Sequence, residues 1–259
     1  MSTAALRPRS ATEIVDAAFQ ILRTHYAPMV TCAALAYLPL LALRLFGGDP
    51  MRFLVSGSTV VRSAEGAFVR SAVVGMLGSW ITFSLIGAVL VVCTSQAYLG
   101  DEVTVSIAVR RVLPQLPKVL AASLLRFVLM GIAFLFLFVP ALYVGARYFA
   151  VSTAIILEDS SLLGSFSRST ELSRGRKWHV LNTLGLVVLI YWVLVVGVSA
   201  AATLFGNFVL QTVISSVVTV MVYPVVAIVE TLLYYDARIQ SEGLDIELMA
   251  EALSPAITV

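Results

Sequence analysis

The stretch WHVLNTLGLVVLIYWVLVVGVSAAATL, residues 178–204, contains no Asp, Glu, Lys or Arg. A helix of about 20 predominantly apolar residues can cross the hydrocarbon core of a bilayer, so this stretch predicts a membrane-spanning helix. The whole chain has the same character, because 59% of its 259 residues are hydrophobic and only 12% are charged. Soluble domains carry roughly 25% charged residues. The composition therefore predicts an integral membrane protein.

The same criterion of length and apolar composition selects five further stretches of the chain. We therefore predict an all-α, polytopic membrane protein with six transmembrane helices. A tight hairpin at Pro140 is predicted to join the third and fourth spans. The five further spans are predicted at residues 27–46, 71–99, 118–139, 141–157 and 211–235.

The distribution of Lys and Arg predicts how these spans are oriented. Basic residues are enriched in cytoplasmic segments of membrane proteins. Most of those in this chain fall before the first span, between the second and third, between the fourth and fifth, and after the sixth. Both termini are thus predicted to face the cytoplasm, and residues 47–70 form the only sizeable loop on the other side.

A short amphipathic segment precedes each odd-numbered span. Its apolar or small residues recur at i, i+3, i+4 and i+7, which places them on one face of a helix. Such helices lie in the headgroup plane of a membrane, with the apolar face towards the acyl chains. The three sets are Ile14, Ala17, Ala18 and Ile21; Val105, Ala108, Val109 and Val112; and Leu162, Ser165, Phe166 and Ser169.

The pattern occurs a fourth time near the C-terminus, at Ile246, Met249, Ala250 and Leu253. The sequence therefore predicts three units, residues 10–99, 103–157 and 160–238, each a surface helix followed by a membrane hairpin. A terminal interfacial helix at 241–253 completes the fold. Ser10 and Glu13 have the spacing of a capping box at the start of the first surface helix.

Basic and aromatic residues at the predicted interface are candidates for contact with lipid headgroups. Arginine and lysine attract anionic headgroups, and tryptophan is enriched at the membrane–water boundary. The alternative is that these residues serve only as an orientation signal. The candidates are Arg110, Arg111, Arg174, Arg176, Lys177 and Trp178.

Three charged residues, Arg126, Arg147 and Glu230, are predicted to lie within spans. Charge at membrane depth is costly and usually faces a bundle interior or a cavity. At about 1.5 Å per residue, Glu230 and Arg126 lie at similar depths, with Arg147 a few ångströms deeper. We predict that Glu230 pairs with one or both arginines, with Gln96 near the same level. The cluster either locks the spans together or lines a polar pocket.

The sequence carries no recognisable catalytic or cofactor-binding motif, such as a nucleophile elbow, a P-loop, a dinucleotide fingerprint or a zinc-protease helix. We therefore predict that the protein is not an enzyme and uses no cofactor or metal. The two cysteines, Cys32 and Cys93, lie in apolar runs, which argues against a structural disulfide. A net charge of +2 gives no support for nucleic-acid binding.

Three stretches resemble a bacterial family of uncharacterised multi-pass membrane proteins, which is similar to the membrane-anchor domain that accompanies some glycerophosphodiester phosphodiesterases. They are LRPRSATEIVDAAFQILRTHYAPMV at 6–30, ILEDSSLLGSFSRSTELSRGRKWHVLNTL at 156–184 and LLYYDARIQSEGLDIELMA at 232–250. The resemblance implies six spans in the bacterial cytoplasmic (inner) membrane. It supplies no catalytic residue, because the phosphodiesterase barrel of anchored members is a separate soluble domain.

Three functional hypotheses follow from these features, and the third, a membrane enzyme acting on lipid, has no motif to support it. The first is a non-catalytic scaffold, anchor or lipid-interacting module whose partners are membrane lipids and another membrane protein or a second copy of the chain. The second is a transporter or channel for a small or amphiphilic solute, using a polar pocket around Glu230, Arg126 and Arg147. Internal repeats, which many transporters contain, favour the second.

Overall fold

The structure is a computed structural model that describes residues 10–46, 61–136 and 138–242. Every regular element in these residues is a helix. The loop at 47–60 and nearly all of the predicted C-terminal helix at 241–253 lie outside the described residues. Residues 241 and 242, where that helix was predicted to begin, belong instead to the last described helix.

Ten α-helices make up the described chain, with two short 3₁₀ segments at Leu113–Gln115 and Thr203–Phe205. In chain order they are α1 (Ala11–Thr24), α2 (Tyr26–Phe46), α3 (Val61–Leu99), α4 (Val105–Val112), α5 (Leu116–Phe136), α6 (Phe138–Arg147), α7 (Val151–Glu158), α8 (Leu162–Leu172), α9 (Lys177–Ala202) and α10 (Phe208–Glu242).

Six segments of the described chain are long and apolar enough to cross a membrane. They confirm the predicted number of candidate spans, and their bounds lie near the predicted ones. Pro140, however, lies inside α6 rather than at a hairpin turn, because α6 already begins at Phe138. The segments are Tyr26–Phe46, Val69–Leu99, Val105–Phe136, Val139–Glu158, Lys177–Phe205 and Phe208–Glu242.

The fourth candidate span is two helices rather than one. Helix α6 ends at Arg147 and α7 begins at Val151, with a turn at residues 148–150 between them. Phe149 and Ala150 in this turn are buried. The interruption could not be predicted from the sequence, because neither glycine nor proline lies in the turn.

Helix α10 is the central element of the packing. It contacts α9, α2, α1 and α3 along its length, and its second half is almost entirely buried. Successive membrane helices also pack on each other, as α2 does on α3, α5 on α6 and α9 on α10. The division into three repeated units stays a prediction.

The helices predicted to lie on the membrane surface bury part of their patterned face against protein. Ile14 and Ala18 of α1 are buried, and α1 packs on α9 and α10. The capping box predicted at its start is present, because Ser10 Oγ accepts from the Glu13 amide and Glu13 Oε2 accepts from the Ser10 amide. In α4, by contrast, Val109 of the patterned face is exposed. The position of these helices in a headgroup layer stays a prediction.

Candidate functional site

An ion pair joins α5 to α10 within the candidate spans. Arg126 Nη1 donates a hydrogen bond to Glu230 Oε1 at 2.9 Å. The structure thus brings together the two residues whose pairing was predicted from their depths. Each side chain is 24% exposed, so the pair lies at an accessible position rather than inside the packed core.

Both residues of this ion pair line a cavity of about 380 Å³. Four helices contribute to it, and its lining combines apolar side chains with several polar ones. This volume falls within the range of small-molecule sites in proteins. We call it the Arg126–Glu230 cavity. It is lined by Met76, Ser79, Trp80, Phe83, Ser84, Gly87, Ala88 and Val91 of α3, Ser123, Arg126 and Phe127 of α5, Ser152 of α7, and Tyr223, Ala227 and Glu230 of α10.

A chain of hydrogen bonds orders one wall of the cavity. Trp80 Nε1 and Ser84 Oγ both donate to Ser123 Oγ, at 3.0 Å and 2.9 Å, and Ser123 Oγ donates to the Leu120 carbonyl at 3.0 Å. Tyr223 Oη donates to the Phe83 carbonyl at 3.3 Å. Each of these donors has its partner within the protein, so this wall is preformed.

The ion pair, by contrast, retains unused hydrogen-bonding capacity. Among the described residues, the one partner of the Arg126 guanidinium is Glu230 Oε1, which leaves its other N–H groups without a protein acceptor. Glu230 Oε2 likewise has no protein donor among them. At the rim, Met76 and Phe127 are each 50% exposed. The cavity therefore combines charged groups inside with apolar side chains at its opening.

Arg147 and Gln96 contact other residues instead of this ion pair. Arg147 Nε donates to Thr170 Oγ1 of α8 at 3.3 Å, and its guanidinium lies over the Tyr148 ring. Gln96 Oε1 accepts from the Thr104 amide at 3.3 Å and so bridges the turn between α3 and α4. Neither residue lines the cavity. Of the two arginines predicted as partners, the structure therefore pairs Arg126 with Glu230.

The turn that interrupts the fourth span is stabilised by a serine of α8. Ser169 Oγ donates to the Arg147 carbonyl at 3.0 Å and accepts from the Ala150 amide at 3.1 Å. A helix break at membrane depth must have its freed backbone groups satisfied by other protein groups. Ser169, which is fully buried, supplies both partners at once.

A second ionic site lies where α7, α8 and the end of α10 meet. Glu158 accepts three hydrogen bonds of 2.8–3.0 Å from Arg168, in a bidentate arrangement, and a fourth from Tyr234 Oη at 2.6 Å. Glu242 forms ion pairs with Arg168 and Arg238, the latter at 2.9 Å. We call Glu158, Arg168, Tyr234, Arg238 and Glu242 the Glu158 cluster.

Sequence reasoning missed this cluster, although a signal was present. Tyr234, Arg238 and Glu242 follow each other at intervals of four, the spacing of neighbours on a helix surface. Hydrogen bonds from Arg168 to Glu242 and Glu158 raise the pKa of its guanidinium above the ordinary value. Arg168 therefore stays charged at every physiological pH. The cluster lines no part of the Arg126–Glu230 cavity.

The predicted headgroup contacts fall into two groups. Arg110, Arg111, Arg174 and Trp178 are exposed, Trp178 by 78%. Two other candidates form contacts within the protein. Arg176 Nη1 donates to the Ala237 carbonyl at 2.9 Å, and Lys177 Nζ donates to Tyr143 Oη at 2.7 Å.

Other chemistry is limited in the described part of the chain. Cys32 and Cys93 are both buried and free. Within the described ranges, no three or more His, Cys, Asp or Glu side chains form a group that could hold a metal ion. The hydroxyl of Ser152, beside the cavity, has no hydrogen-bond partner among those residues.

Comparisons with known proteins give no further assignment. No protein-family model, curated protein or solved structure matches the chain.

Proposed function

We propose that this chain is a non-catalytic membrane protein that binds one membrane amphiphile in the Arg126–Glu230 cavity. The polar end of the amphiphile contacts the ion pair, and its apolar part lies against Met76 and Phe127. The observation that carries the proposal is an ion pair with unused donors and an unused acceptor beside an open cavity.

The energetics of charge in a membrane support this function. A charged residue at membrane depth is costly, and such residues generally have a partner or a function. An ion pair that serves only to join two helices is stabilised when other protein groups satisfy its remaining donors and acceptors. Among the described residues, the Arg126–Glu230 pair has no such additional partners, which suits a ligand-binding role.

We also propose an arrangement in the membrane. The six spans form three hairpins, each preceded by an amphipathic helix in the headgroup layer. Both termini face the cytoplasm of a bacterium, in its inner membrane. The positive-inside pattern and the family resemblance support this topology. The contacts of Arg168 and Arg176 with the end of α10 also support it, because they gather basic residues at one end of the bundle.

Transport of an amphiphile is a second candidate, favoured by the interrupted fourth span. Broken helices line the binding sites of many transporters. Here α7, which follows the interruption, contributes Ser152 to the cavity wall. Flux of a fluorescent lipid between leaflets of reconstituted vesicles distinguishes transport from binding alone.

Native mass spectrometry tests the binding function. The protein is released from its own membrane in mild detergent, and the wild type is compared with a double variant, Arg126→Gln/Glu230→Gln. The double variant removes both charges together, so neither residue is left as an unpaired ion. We expect one stoichiometric lipid on the wild type and loss of that lipid from the double variant.

Arg147→Gln is the matched control, because it removes an arginine of the same candidate membrane region that does not line the cavity. It should keep the bound lipid. Equal, nonstoichiometric lipid on all three proteins would contradict the proposed function and leave the ion pair as a structural contact.

A further inference from the structure

We infer that the amphiphile is a zwitterionic phospholipid whose headgroup carries a phosphate and a primary ammonium. This inference rests on the proposed function and specifies its ligand. The phosphate contacts the Arg126 guanidinium, and the ammonium contacts the Glu230 carboxylate.

The charge balance of the cavity favours a zwitterion. Among the described residues, Arg126 and Glu230 are the charged groups that line it, so its net charge is zero. A purely anionic headgroup is attracted by Arg126 but repelled by Glu230, whose oxygen lies 2.9 Å from the guanidinium. Because Coulomb energy falls with distance, the two contributions nearly cancel when the ligand is about equally far from both. A zwitterion is attracted by both residues when its phosphate lies next to Arg126 and its ammonium next to Glu230.

The unused atoms of the pair have complementary hydrogen-bonding roles. The remaining guanidinium N–H groups need an acceptor, and phosphate oxygens are strong acceptors in the geometry that arginine favours. Glu230 Oε2 needs a donor. A primary ammonium has three N–H donors, whereas a quaternary trimethylammonium has none. The carboxylate therefore distinguishes an ethanolamine headgroup from a choline headgroup.

The rim favours a lipid over a free headgroup. Met76 and Phe127 are half exposed, and residues next to them on the same helices, Leu77 and Val128, are also exposed apolar side chains. In the proposed membrane arrangement, this surface contacts acyl chains. A headgroup attached to such chains can enter the cavity directly from the bilayer. A soluble phosphoethanolamine must instead enter it from water.

The test measures competition among phospholipids for the full-length protein in detergent. Phosphatidylethanolamine, phosphatidylcholine and phosphatidylglycerol with identical acyl chains are added in equal amounts, and bound lipid is counted by native mass spectrometry. We expect phosphatidylethanolamine to be preferred over each competitor by about tenfold, the effect of a single hydrogen bond to a charged group. Free O-phosphoethanolamine in excess should not displace it.

Two variants separate the roles of the charges. Glu230→Gln should lose most of the preference for ethanolamine over choline, since its amide no longer attracts the ammonium. Arg126→Gln should bind all three phospholipids more weakly. The double variant Arg126→Gln/Glu230→Gln leaves no unpaired charge, so it keeps the comparison open if a single variant fails to fold. It should retain neither the ethanolamine lipid nor the choline lipid as a stoichiometric ligand.

The outcomes separate the inference from the function on which it rests. One bound lipid with equal or greater preference for phosphatidylglycerol, or with no discrimination between ethanolamine and choline, would overturn the zwitterion assignment but keep the binding function. Displacement by free O-phosphoethanolamine would overturn the assignment to a lipid. Absence of any stoichiometric lipid would overturn the proposed function itself.

Discussion

The two ionic sites of this protein differ in how completely their charges are satisfied. In the Glu158 cluster, one carboxylate accepts four hydrogen bonds, and Glu242 pairs with two arginines. In the Arg126–Glu230 cavity, one hydrogen bond joins the pair, and the remaining donors and acceptor face open space. The first site is suited to stabilise the fold. The second retains capacity for a ligand.

The comparison shows that exposure alone does not separate a structural ion pair from a binding site. Glu158 and Arg168 are 21% and 20% exposed, close to the 24% of each residue in the cavity pair. What differs is the number of protein partners and the presence of a cavity. If the number of protein partners and the presence of a cavity are decisive, substitutions at the two sites should differ in their effects on stability and on lipid binding.

The largest loss of stability is expected from Glu158→Ala. The substitution leaves Arg168 without its bidentate partner and Tyr234 without its acceptor. Because Glu158 accepts four hydrogen bonds from charged or polar partners, their joint loss should cost about 3 kcal/mol of unfolding free energy. Denaturant unfolding in detergent micelles, monitored by circular dichroism, measures the change.

Glu171→Ala is the control for this substitution, because Glu171 is 71% exposed and lies 3.7 Å from the same Arg168. Its effect should be small. If both variants unfold at the same denaturant concentration, the cluster does not stabilise the fold, and the contrast between the two sites disappears.

Ser169→Ala should produce the next largest effect. It leaves the Arg147 carbonyl and the Ala150 amide buried without the hydroxyl that both contact, and an unsatisfied buried polar group costs about 1–3 kcal/mol. We expect a loss of about 2 kcal/mol in the same unfolding measurement. The stability of this turn also bears on the cavity, because α7 follows it.

Ser165→Ala provides the matched comparison on α8. Ser165 is equally buried, but its hydroxyl bonds only to the Leu162 carbonyl of its own helix. Ser165→Ala could instead lower the unfolding free energy as much as Ser169→Ala does. That result would show that packing of the serine face of α8 stabilises the fold, and not the hydrogen bonds of Ser169 to the interrupted span.

Glu230→Gln should have little effect on stability. One hydrogen bond joins Glu230 to Arg126, and the glutamine can still accept it, so the loss should be about 1 kcal/mol or less. The same variant should nevertheless lose most of its preference for ethanolamine over choline lipids. A loss of stability comparable to that of Glu158→Ala would remove the distinction between the sites and favour a structural lock at Arg126–Glu230.

The smallest effect is expected at the exposed end of the bundle. Trp178→Ala removes a side chain that is 78% exposed, so unfolding free energy in detergent should change by about 0.5 kcal/mol or less. In bilayers, its indole is predicted to contact headgroups. Blue-shifted fluorescence of a variant that keeps Trp178 but replaces Trp80 and Trp192 with Phe would support that contact, and water-like emission would contradict it.

The candidate spans and the Arg126–Glu230 pair could be predicted from the sequence because both depend on distances counted along the chain. Apolar length determines where a helix can cross a bilayer, and a constant rise per residue sets relative depth along a continuous helix. Glu230 and Arg126 lie on continuous helices, so a count along each helix was enough to predict that they meet.

The same reasoning failed where the backbone departs from a continuous helix. The turn at residues 148–150 contains no glycine or proline, and it depends on Ser169, which is distant in sequence. The contact of Arg147 with Thr170 of α8 therefore could not be predicted by counting along an unbroken span. The Glu158 cluster was missed for a related reason, because three helices meet there and, apart from contacts within α10, its hydrogen bonds and ion pairs join different helices.

Helix α10 carries residues of both sites, with Glu230 twelve positions before Glu242, about 18 Å along the axis. No glycine or proline lies between them. A continuous helix of this kind transmits torque, so it cannot turn at Glu230 without also turning at Arg238 and Glu242. The salt bridges at the end of α10 therefore hold the helix face from which Glu230 projects, twelve residues away.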